Sequence, residues 1–292
     1  MEPATEGSDG LLRMTETTSS YLICSTPRSG TTLLCETLTA TGIAGRPQEY
    51  FQHLSETCRP RTPRDYFGDV QDPEVLDLLS RCGEPPGAPN EYDPSAFESY
   101  DAYFAWALDK GTTPNGVFGA KLMWAYLPGL LSRLATPAAL ASGDAAQVLR
   151  LAFPSLRLLF VVREDKVRQA VSLWRALQTW TWRAEPAAPG AELDEWLTLE
   201  YSFEAIDHLV HRLAEEEQAW TEFFEEHDLA HMTVIYEQLA AAPEATALEV
   251  LRHLGLDTRG IEFGRLRMRR QADGLSDEWV RRYFDDATVR VS

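Results

Sequence analysis

The chain has 292 residues, enough for one α/β domain or two small ones and for a sizeable buried core. Its 44% hydrophobic and 25% charged residues are ordinary for a soluble globular protein, and no apolar stretch approaches the length of a membrane span. The net charge of −18 argues against general binding of nucleic acids or anionic membranes, which requires a basic face. An anionic ligand would therefore need a local concentration of basic residues.

The N-terminal residues 1–20 are acidic and rich in serine and threonine, and they predict a mostly disordered tail before a single domain over residues 21–292. They lack the basic and apolar regions of a signal peptide, so we expect a cytoplasmic location. The four cysteines have no metal-like spacing. The sequence therefore predicts buried thiols at Cys24 and Cys35, which fall in a predicted strand and helix, with neither disulfides nor a metal site.

The first predicted elements are a strand and a helix joined by a polar loop, in the sequence YLICSTPRSGTTLL at residues 21–34. An apolar run predicts the strand, and a helical pattern follows over residues 31–41. A helix N-terminus presents unpaired backbone N–H groups and the positive end of its dipole, so this turn can hold an anion. Gly30 allows close approach of the backbone and Arg28 adds positive charge. Three hydroxyls add donors: Ser29, Thr31 and Thr32.

The loop resembles a P-loop but lacks its lysine. Set against G-x-x-x-x-G-K-[ST], Gly30 takes the second glycine and Thr32 the final hydroxyl, whereas Thr31 stands at the lysine position. A kinase or ATPase uses that lysine, together with Mg²⁺, to hold the β- and γ-phosphates. A 5′-phosphosulfate needs neither a γ-phosphate grip nor a metal. The alternative without any ligand is a strand–helix corner that uses glycine and capping hydroxyls.

The rest of the chain alternates predicted helices and strands. Strands are predicted over residues 117–123, 156–162 and 232–236, and helices over 73–80, 95–110, 128–134, 144–151, from 166, over 199–224 and from 237 to before 255. The run LRLLFVV at 156–162 is typical of a central parallel strand buried on both faces. We therefore predict an α/β, P-loop-like three-layer fold in which helices flank a central parallel sheet.

A second group of candidate anion ligands follows the strand at residues 156–162. Arg163 comes directly after this strand, and Ser172 lies on the next predicted helix. In open α/β sheets ligands bind beyond the carboxyl ends of the strands, and an arginine with a hydroxyl can clamp a phosphate there. A solvated surface arginine is the alternative. Together with the first loop, the pair predicts two phosphate sites, as a nucleotide phosphorylated at both ends of its ribose requires.

Six motifs between residues 21 and 286 give the chain a family resemblance. They are TPRSGTTLL, PQEYF at 47–51, TPNGVFGAKLMW at 113–124, VVRED, AVSLWRALQT at 170–179 and RQADGLSDEWVRRY at 270–283. In these motifs the chain resembles sulfotransferases that use 3′-phosphoadenosine 5′-phosphosulfate (PAPS). PQEYF, GAKLMW and SDEWVRRY indicate, more narrowly, the bacterial trehalose 2-sulfotransferase family.

The resemblance implies roles for the matching residues. Five of them would bind the 5′-phosphosulfate: Arg28, Ser29, Gly30, Thr31 and Thr32. Arg163 and Ser172 would hold the 3′-phosphate, and Arg270 would reach the same nucleotide. Adenosine 3′,5′-bisphosphate would be the product, and no metal would be needed.

The same resemblance implies how the reaction proceeds. Glu49 in PQEYF matches the family's general base, which takes the proton of an acceptor hydroxyl as that hydroxyl attacks sulfur in line. Arg28 and Lys121 would stabilise the charge that builds up on the sulfuryl group. Taken alone, Glu49 would be read as a surface acid near a turn, and Lys121 as a strand-end lysine that pairs with a carboxylate.

The expected acceptor is a small molecule with a hydroxyl group: a trehalose-like carbohydrate, a glycolipid precursor or another polar metabolite. Its candidate lining combines polar and aromatic side chains: Gln48, Glu49, Tyr50, Phe51, Trp124 and Trp174. The alternative is that most of these aromatic residues belong to the core. The resemblance also implies a homodimer, for which the aromatic segment at residues 178–183 is a candidate contact.

Two other functions remain open from the sequence. A P-loop-type kinase would require ATP and Mg²⁺. A non-catalytic nucleotide-binding protein would bind PAPS or its product, but replacing Glu49 with alanine would change nothing.

Overall fold

The computed structural model describes residues 16–82, 92–135, 144–180, 182, 199–263 and 274–291. Within these residues the chain forms a parallel sheet of four strands, β1 (Ser19–Ser25), β2 (Val117–Met123), β3 (Arg157–Val162) and β4 (His231–Ile235). The strand order is β2-β1-β3-β4, and helices pack against both faces. This arrangement confirms the predicted α/β, P-loop-like fold with a central parallel sheet flanked by helices.

Helices connect and cover the strands. Their bounds are α1 (Thr31–Ala40), α2 (Pro73–Arg81), α3 (Tyr100–Gly111), α4 (Leu127–Leu134), α5 (Ala145–Ala152), α6 (Lys166–Thr179), α7 (Phe203–Glu226), α8 (Tyr236–Ala241), α9 (Pro243–His253) and α10 (Gly274–Val291). Short 3₁₀ helices occupy Pro63–Phe67, Pro94–Ala96 and Trp124–Tyr126. Among the described helices, none combines the length and the apolar character needed to cross a lipid bilayer.

The alternation of side chains along β1 explains the layers. Tyr21 and Ile23 lie in the hydrophobic cluster beneath α1 and α9, whereas Leu22 and Cys24 lie in the cluster on the opposite face. Both faces of a strand are buried when helices cover the two sides of a parallel sheet. A third cluster joins α6, α7 and α10, with Trp174 at its centre.

The first strand begins two residues before the predicted start of the domain at residue 21. β1 begins at Ser19, because Ser19 and Ser20 pair with β2 opposite Val117 and Phe118. The chain is held even before this point, since the backbone N–H of Thr18 donates to the carbonyl of Gly116 at 2.9 Å. Residues 1–15 lie outside the described part of the chain.

Three helices differ from their predicted extents for local reasons. α3 begins at Tyr100 rather than at residue 95, because the side chain of Ser99 caps it by accepting from the backbone N–H of Ala102. α7 begins at Phe203, where the side chain of Ser202 caps it by accepting from the backbone N–H of Ala205. The helix predicted from residue 237 is divided into α8 and α9 at Pro243, whose ring is tolerated in a first turn but not within a helix. Helix α10 was not predicted at all.

Candidate anion-binding and catalytic site

The loop between β1 and α1 has a backbone that few residue types tolerate. Arg28 and Gly30 both adopt left-handed conformations, with φ values of 62° and 87°. A Cβ atom on Gly30 would lie 2.2 Å from the Cδ2 atom of Tyr236. Gly30 is therefore required by its conformation and by the ring that packs directly against it.

Buried hydrogen bonds hold this loop from three sides. The hydroxyl groups of Ser25 and Ser29 are 2.5 Å apart, and both residues are fully buried. The amide of Gln169 on α6 donates to the carbonyl of Pro27 at 2.7 Å, and the indole N–H of Trp220 on α7 donates to the carbonyl of Ser25 at 2.9 Å. Because the Ser29 hydroxyl points into the loop, Ser29 can face a ligand only through its backbone.

The N-terminus of α1 is open. Gly30 is its N-cap residue, and no described side chain caps the helix. The first intrahelical bond runs from the N–H of Leu34 to the carbonyl of Gly30 at 3.3 Å. The preceding N–H groups of the first turn have no partner within the helix, and they lie at the positive end of its dipole, as an anion site requires.

Two arginines converge beside this helix end. Arg28 donates from Nε to the hydroxyl of Ser172 at 3.0 Å and from Nη1 to the carbonyl of Trp182 at 2.6 Å. Arg163 donates from Nη1 to the carbonyl of Arg28 at 3.0 Å, and its guanidinium lies 4.4 Å from the centre of the Tyr236 ring. The structure thus brings Arg28, Arg163 and Ser172 into one cluster.

The charge of Arg163 is not fully compensated among the described residues. Arg163 is buried, and its Nε atom has no hydrogen-bond partner within the described residues. Burial, followed by the charge of Arg163, lowers the pKa of Arg28 to about 10, and burial also lowers the pKa of Arg163. Both side chains remain positively charged at neutral pH, so an anion placed between them would relieve their repulsion and their desolvation.

Glu49 and Lys121 meet at the outer edge of the sheet. The segment before Glu49 runs beside β2, where Gln48 forms a parallel bridge with Ala120 and accepts from the N–H of Lys121 at 2.9 Å. This register places the Lys121 ammonium 2.8 Å from the Glu49 carboxylate. Their side chains are 16% and 20% exposed, so the ion pair is accessible to a small molecule from solvent.

A small open cleft with a volume of about 30 Å³ adjoins this ion pair. It is lined by Thr32, Cys35, Glu36, Gln48 and Lys121. Thr32 and Glu36 are four residues apart on α1 and therefore share one face of the helix. The sequence analysis did not single out Glu36.

Three aromatic residues predicted to line the acceptor site are core residues instead. Tyr50, Phe51 and Trp174 are 3%, 1% and 0% exposed. Phe51 stacks on Phe104 with 5.7 Å between ring centres, and the other two pack in the same way within hydrophobic clusters. Their rings are not available to a ligand, because apolar character in a sequence does not distinguish a core from a binding surface.

The remaining predicted site residues have mixed outcomes. Trp124 is half-buried and packs against Trp220 with 5.2 Å between ring centres. Thr31 is buried in the first turn of α1, and Arg270 lies outside the described residues. The proposed dimer contact at 178–183 is not an exposed aromatic surface where it is described, because Trp180 and Trp182 are half-buried within their own chain.

The sequence analysis also missed a buried polar group near Glu49. Arg61 forms an ion pair with Glu216 of α7 at 2.6 Å, and its guanidinium lies 4.4 Å from the centre of the Tyr66 ring. Burial raises the pKa of the Tyr66 phenol; Arg61 opposes this effect, and the carboxylates of Glu216 and Glu49 add to it. No local signal identifies a pair whose members are this far apart in sequence.

Comparisons with known proteins identify the family of the chain. The model of the family described as Stf0 sulphotransferase matches residues 20–286. A protein named trehalose 2-sulfotransferase from Mycolicibacterium smegmatis is 37% identical over 275 residues, covering 94% of this chain and 97% of that protein. One of the same name from Mycobacterium tuberculosis is 37% identical over 268 residues, covering 91% and 95%. A sulfotransferase structure from Alicyclobacillus acidocaldarius has 13% identity and a TM-score of 0.40, covering 93% of each chain. The chain therefore belongs to the Stf0 sulphotransferase family.

Proposed function

We propose that this sulfotransferase moves a sulfuryl group from PAPS to a hydroxyl of a carbohydrate such as trehalose, or of a similar polar metabolite. The observation that supports the donor best is the pair of arginines, half-buried Arg28 and buried Arg163, beside the uncapped N-terminus of α1. The sugar acceptor is supported by the identity of 37% with two proteins named trehalose 2-sulfotransferase.

The residues present suit a nucleotide with an anionic group at each end of its ribose. The backbone N–H groups from Ser29 to Thr32 and the Arg28 guanidinium would hold the 5′-phosphosulfate. The unpartnered Nε atom of Arg163 and the hydroxyl of Ser172 would hold the 3′-phosphate. We propose that Arg270 reaches the same nucleotide. When bound, PAPS supplies an activated sulfuryl group.

Glu49 is the proposed general base. Its carboxylate is held by Lys121 at 2.8 Å and lies beside the open cleft, where an acceptor hydroxyl can reach it. Proton removal by Glu49 makes the acceptor oxygen a nucleophile. Arg28 and Lys121 bring positive charge next to the oxygens on which negative charge develops, and such fixed charges stabilise the transition state.

The donor proposal is tested by calorimetric titration with adenosine 3′,5′-bisphosphate and with ATP, each with and without Mg²⁺. We expect metal-independent binding of the bisphosphate that is much tighter than that of ATP. Arg28→Gln and Arg163→Gln should each weaken it at least tenfold. The control Arg259→Gln removes a charge from a side chain that is 90% exposed, and it should leave the affinity for the bisphosphate unchanged. Tight Mg²⁺-dependent ATP binding would favour a kinase, and unchanged affinity in both arginine variants would refute the site.

The general base is tested separately. Glu49→Gln should lower kcat about 10²- to 10⁴-fold while leaving the bisphosphate Kd unchanged, because Glu49 acts on the acceptor. Glu225→Gln, at an exposed position on α7, is the control. Full activity in Glu49→Gln would exclude Glu49 as the base, and no transfer by the wild-type enzyme would favour a non-catalytic protein.

We also propose a homodimer, on the family resemblance. Static light scattering of the pure protein should give twice the chain mass of 32.8 kDa. A mass of one chain across the micromolar range would refute the dimer.

A further inference from the structure

We propose that Gln169 on α6 is a positioning residue of the donor site, which fixes the loop before α1 in the shape that holds the 5′-phosphosulfate. This inference rests on the proposed function and deepens it, because it concerns how the site assigned to PAPS is built. Gln169 is fully buried, so it acts through the backbone of the loop and not by contact with a ligand.

Both donors of the Gln169 amide are used on the loop. Its Nε2 atom donates to the carbonyl of Pro27 at 2.7 Å and to the hydroxyl of Thr26 at 3.0 Å. Its Oε1 atom is buried and has no hydrogen-bond partner among the described residues. A buried oxygen without a partner opposes folding, and an apolar side chain would avoid that penalty. The amide therefore indicates that the loop requires its two donors.

Gln169 and Arg163 together hold the two peptide planes that meet at Arg28. Gln169 binds the plane before Arg28 through the carbonyl of Pro27, and Arg163 binds the plane after it through the carbonyl of Arg28 at 3.0 Å. The φ and ψ angles of a residue are set by the orientation of these two planes, because each peptide unit is itself planar. The two donors therefore hold Arg28 in its left-handed conformation, with a φ of 62°. This conformation is unfavourable for a residue with a Cβ atom and persists only where the surroundings hold it.

The direction of these two carbonyls determines how the loop meets an anion. In a trans peptide the carbonyl and the following N–H group point in opposite directions. Holding the carbonyls of Pro27 and Arg28 against their donors therefore turns the N–H groups of Arg28 and Ser29 the other way. Residues in the left-handed conformation, here Arg28 and Gly30, curve successive N–H groups around a common point, and such a concavity binds an anion.

Loss of the amide should affect the two ends of the nucleotide differently. Without Gln169 the buried carbonyl of Pro27 loses its donor, and its peptide rotates towards another one. This rotation displaces Arg28 and the N–H of Ser29, which are proposed ligands of the 5′-phosphosulfate. The 3′-phosphate keeps the Nε atom of Arg163 as its ligand and is affected little.

The test isolates the contribution of the 5′-phosphate as a ratio, the Kd of adenosine 3′-monophosphate divided by the Kd of adenosine 3′,5′-bisphosphate. Gln169→Met has a side chain of similar length without a donor. We expect its ratio to fall at least about tenfold, while the Kd of the 3′-monophosphate stays within about threefold of wild type. The control is Gln178→Met on the same helix, because the Gln178 amide donates to the carbonyl of Glu200 at 3.0 Å, outside the loop. Its ratio should equal that of wild type.

Gln169→Glu tests the donors while keeping the shape of the side chain. A carboxyl group donates a hydrogen bond only when it is protonated, and burial raises its pKa towards neutrality. Relative to wild type at the same pH, the ratio in Gln169→Glu should therefore be higher at about pH 5 than at about pH 8. A loss of folding stability alone would weaken both ligands equally and leave the ratio unchanged.

Three results would overturn the inference. A wild-type ratio in Gln169→Met, or a wild-type ratio at both pH values in Gln169→Glu, would show that the loop keeps its shape without these donors. Equal weakening of the two ligands would assign Gln169 to the stability of the fold as a whole. A wild-type protein that does not bind the bisphosphate would refute the donor site itself and, with it, this role of Gln169.

Discussion

Arg163 has two separate effects on the anion site. Its guanidinium adds positive charge, and its Nη1 donates to the carbonyl of Arg28, whose left-handed backbone is uncommon for a residue with a side chain. Such a conformation persists only where the surroundings hold it. Arg163 therefore also fixes the shape of the loop that presents Arg28.

Gly30 provides a test of how closely the loop is packed. We expect Gly30→Ala to weaken bisphosphate binding at least tenfold, because its Cβ would overlap the Tyr236 ring at 2.2 Å and displace the ring that supports Arg163. Gly42→Ala is the matched control, since Gly42 has a similar φ of 72° but open space around it. Gly42→Ala should lower the free energy of unfolding, measured in urea, only by the strain of a left-handed alanine, about 1–2 kcal/mol. It should leave the bisphosphate affinity unchanged. Equal effects of the two variants would contradict the packing argument.

The sequence predicted the polar part of the site better than the apolar part. Arg28, Arg163 and Ser172 lie together because parallel strands deliver their carboxyl ends to one edge, and that rule can be applied without a structure. Tyr50 and Trp174 were misassigned because an aromatic residue near a motif looks the same in sequence whether it lines a cleft or fills the core. Burial depends on what packs from distant elements, and the sequence does not show it.

At the scale of elements, a buried ion pair joins Arg61, just before the 3₁₀ segment Pro63–Phe67, to the middle of α7. The side chains of Arg61 and Glu216 are 5% and 8% exposed, and Tyr66 packs against the guanidinium. Arg212 lies 3.6 Å from the same carboxylate. The pair helps to hold this segment near Glu49. It stabilises the fold only when both partners are present, because either charge alone would be buried without its partner.

We expect Arg61→Ala to destabilise the protein by up to about 3 kcal/mol, because it leaves the buried Glu216 carboxylate with only the longer contact to Arg212 at 3.6 Å. The double variant Arg61→Met with Glu216→Leu should recover most of this loss, since apolar groups of similar volume need no pairing. Urea unfolding at pH 7 measures both. The exposed Arg259 is the control, and its replacement should change stability by less than about 1 kcal/mol. A double variant as unstable as the single one would show that packing, not charge, holds the segment.

Helix α10 shows why part of the fold escaped the sequence analysis. Eight of the 18 residues in its sequence GLSDEWVRRYFDDATVRV are apolar, but they are spread over more than half of the helix circumference, so its periodicity is weak. Tertiary contacts secure it instead: Trp279 and Tyr283 are buried against α6 and α7, and the Tyr283 hydroxyl donates to Asp207 at 2.7 Å. By contrast, β2 was predicted with its observed bounds, because a buried strand carries its signal in its own composition.

Two aromatic residues on α10 differ in burial, and their replacement should therefore differ in its effect on stability. Trp279→Ala should destabilise the protein by about 3–5 kcal/mol, because a ring that is 4% exposed would leave a cavity between helices. Phe284→Ala should have little effect on the folded monomer, since that side chain is 55% exposed. Thermal unfolding of both variants at low protein concentration measures the difference. A similar loss in the two variants would mean that Phe284 is covered, as an interface between protomers would require.

At the scale of the whole molecule, a cluster of positively charged side chains lies within an acidic protein. Ser25 of β1 is paired with Val161 of β3, so the residues that follow these strands, including Arg28 and Arg163, meet at one edge. The chain has 27 lysines and arginines against 45 aspartates and glutamates. Gathering like charges in one buried place opposes folding, and an anionic ligand reverses that effect.

The pKa of Arg28 shows whether its charge stabilises or destabilises the folded protein. Because burial and Arg163 lower that pKa to about 10, the charged form is less favoured in the folded protein than in the unfolded chain. Arg28 therefore lowers the free energy of unfolding at every pH below about 10, and this loss fades only as pH rises above that value. At neutral pH the loss is fully present, and anion binding offsets it.

The bisphosphate should therefore stabilise the wild-type protein more than the variant without this charge. At a ligand concentration of 100 times the wild-type Kd, we expect the free energy of unfolding to rise by about 2.7 kcal/mol, which corresponds to roughly 4 °C in Tm for a chain of this size. Arg28→Gln should be at least as stable as wild type without ligand, because a desolvated charge is removed, and its free energy of unfolding should rise by no more than about 1.4 kcal/mol at the same concentration, since its affinity is at least tenfold lower. Differential scanning calorimetry at pH 7 measures both. If ligand-free Arg28→Gln melts well below wild type, the hydrogen bonds from Arg28 to Ser172 and Trp182 stabilise the protein more than the desolvated charge destabilises it. Arg28 would then have a mainly structural role in the loop.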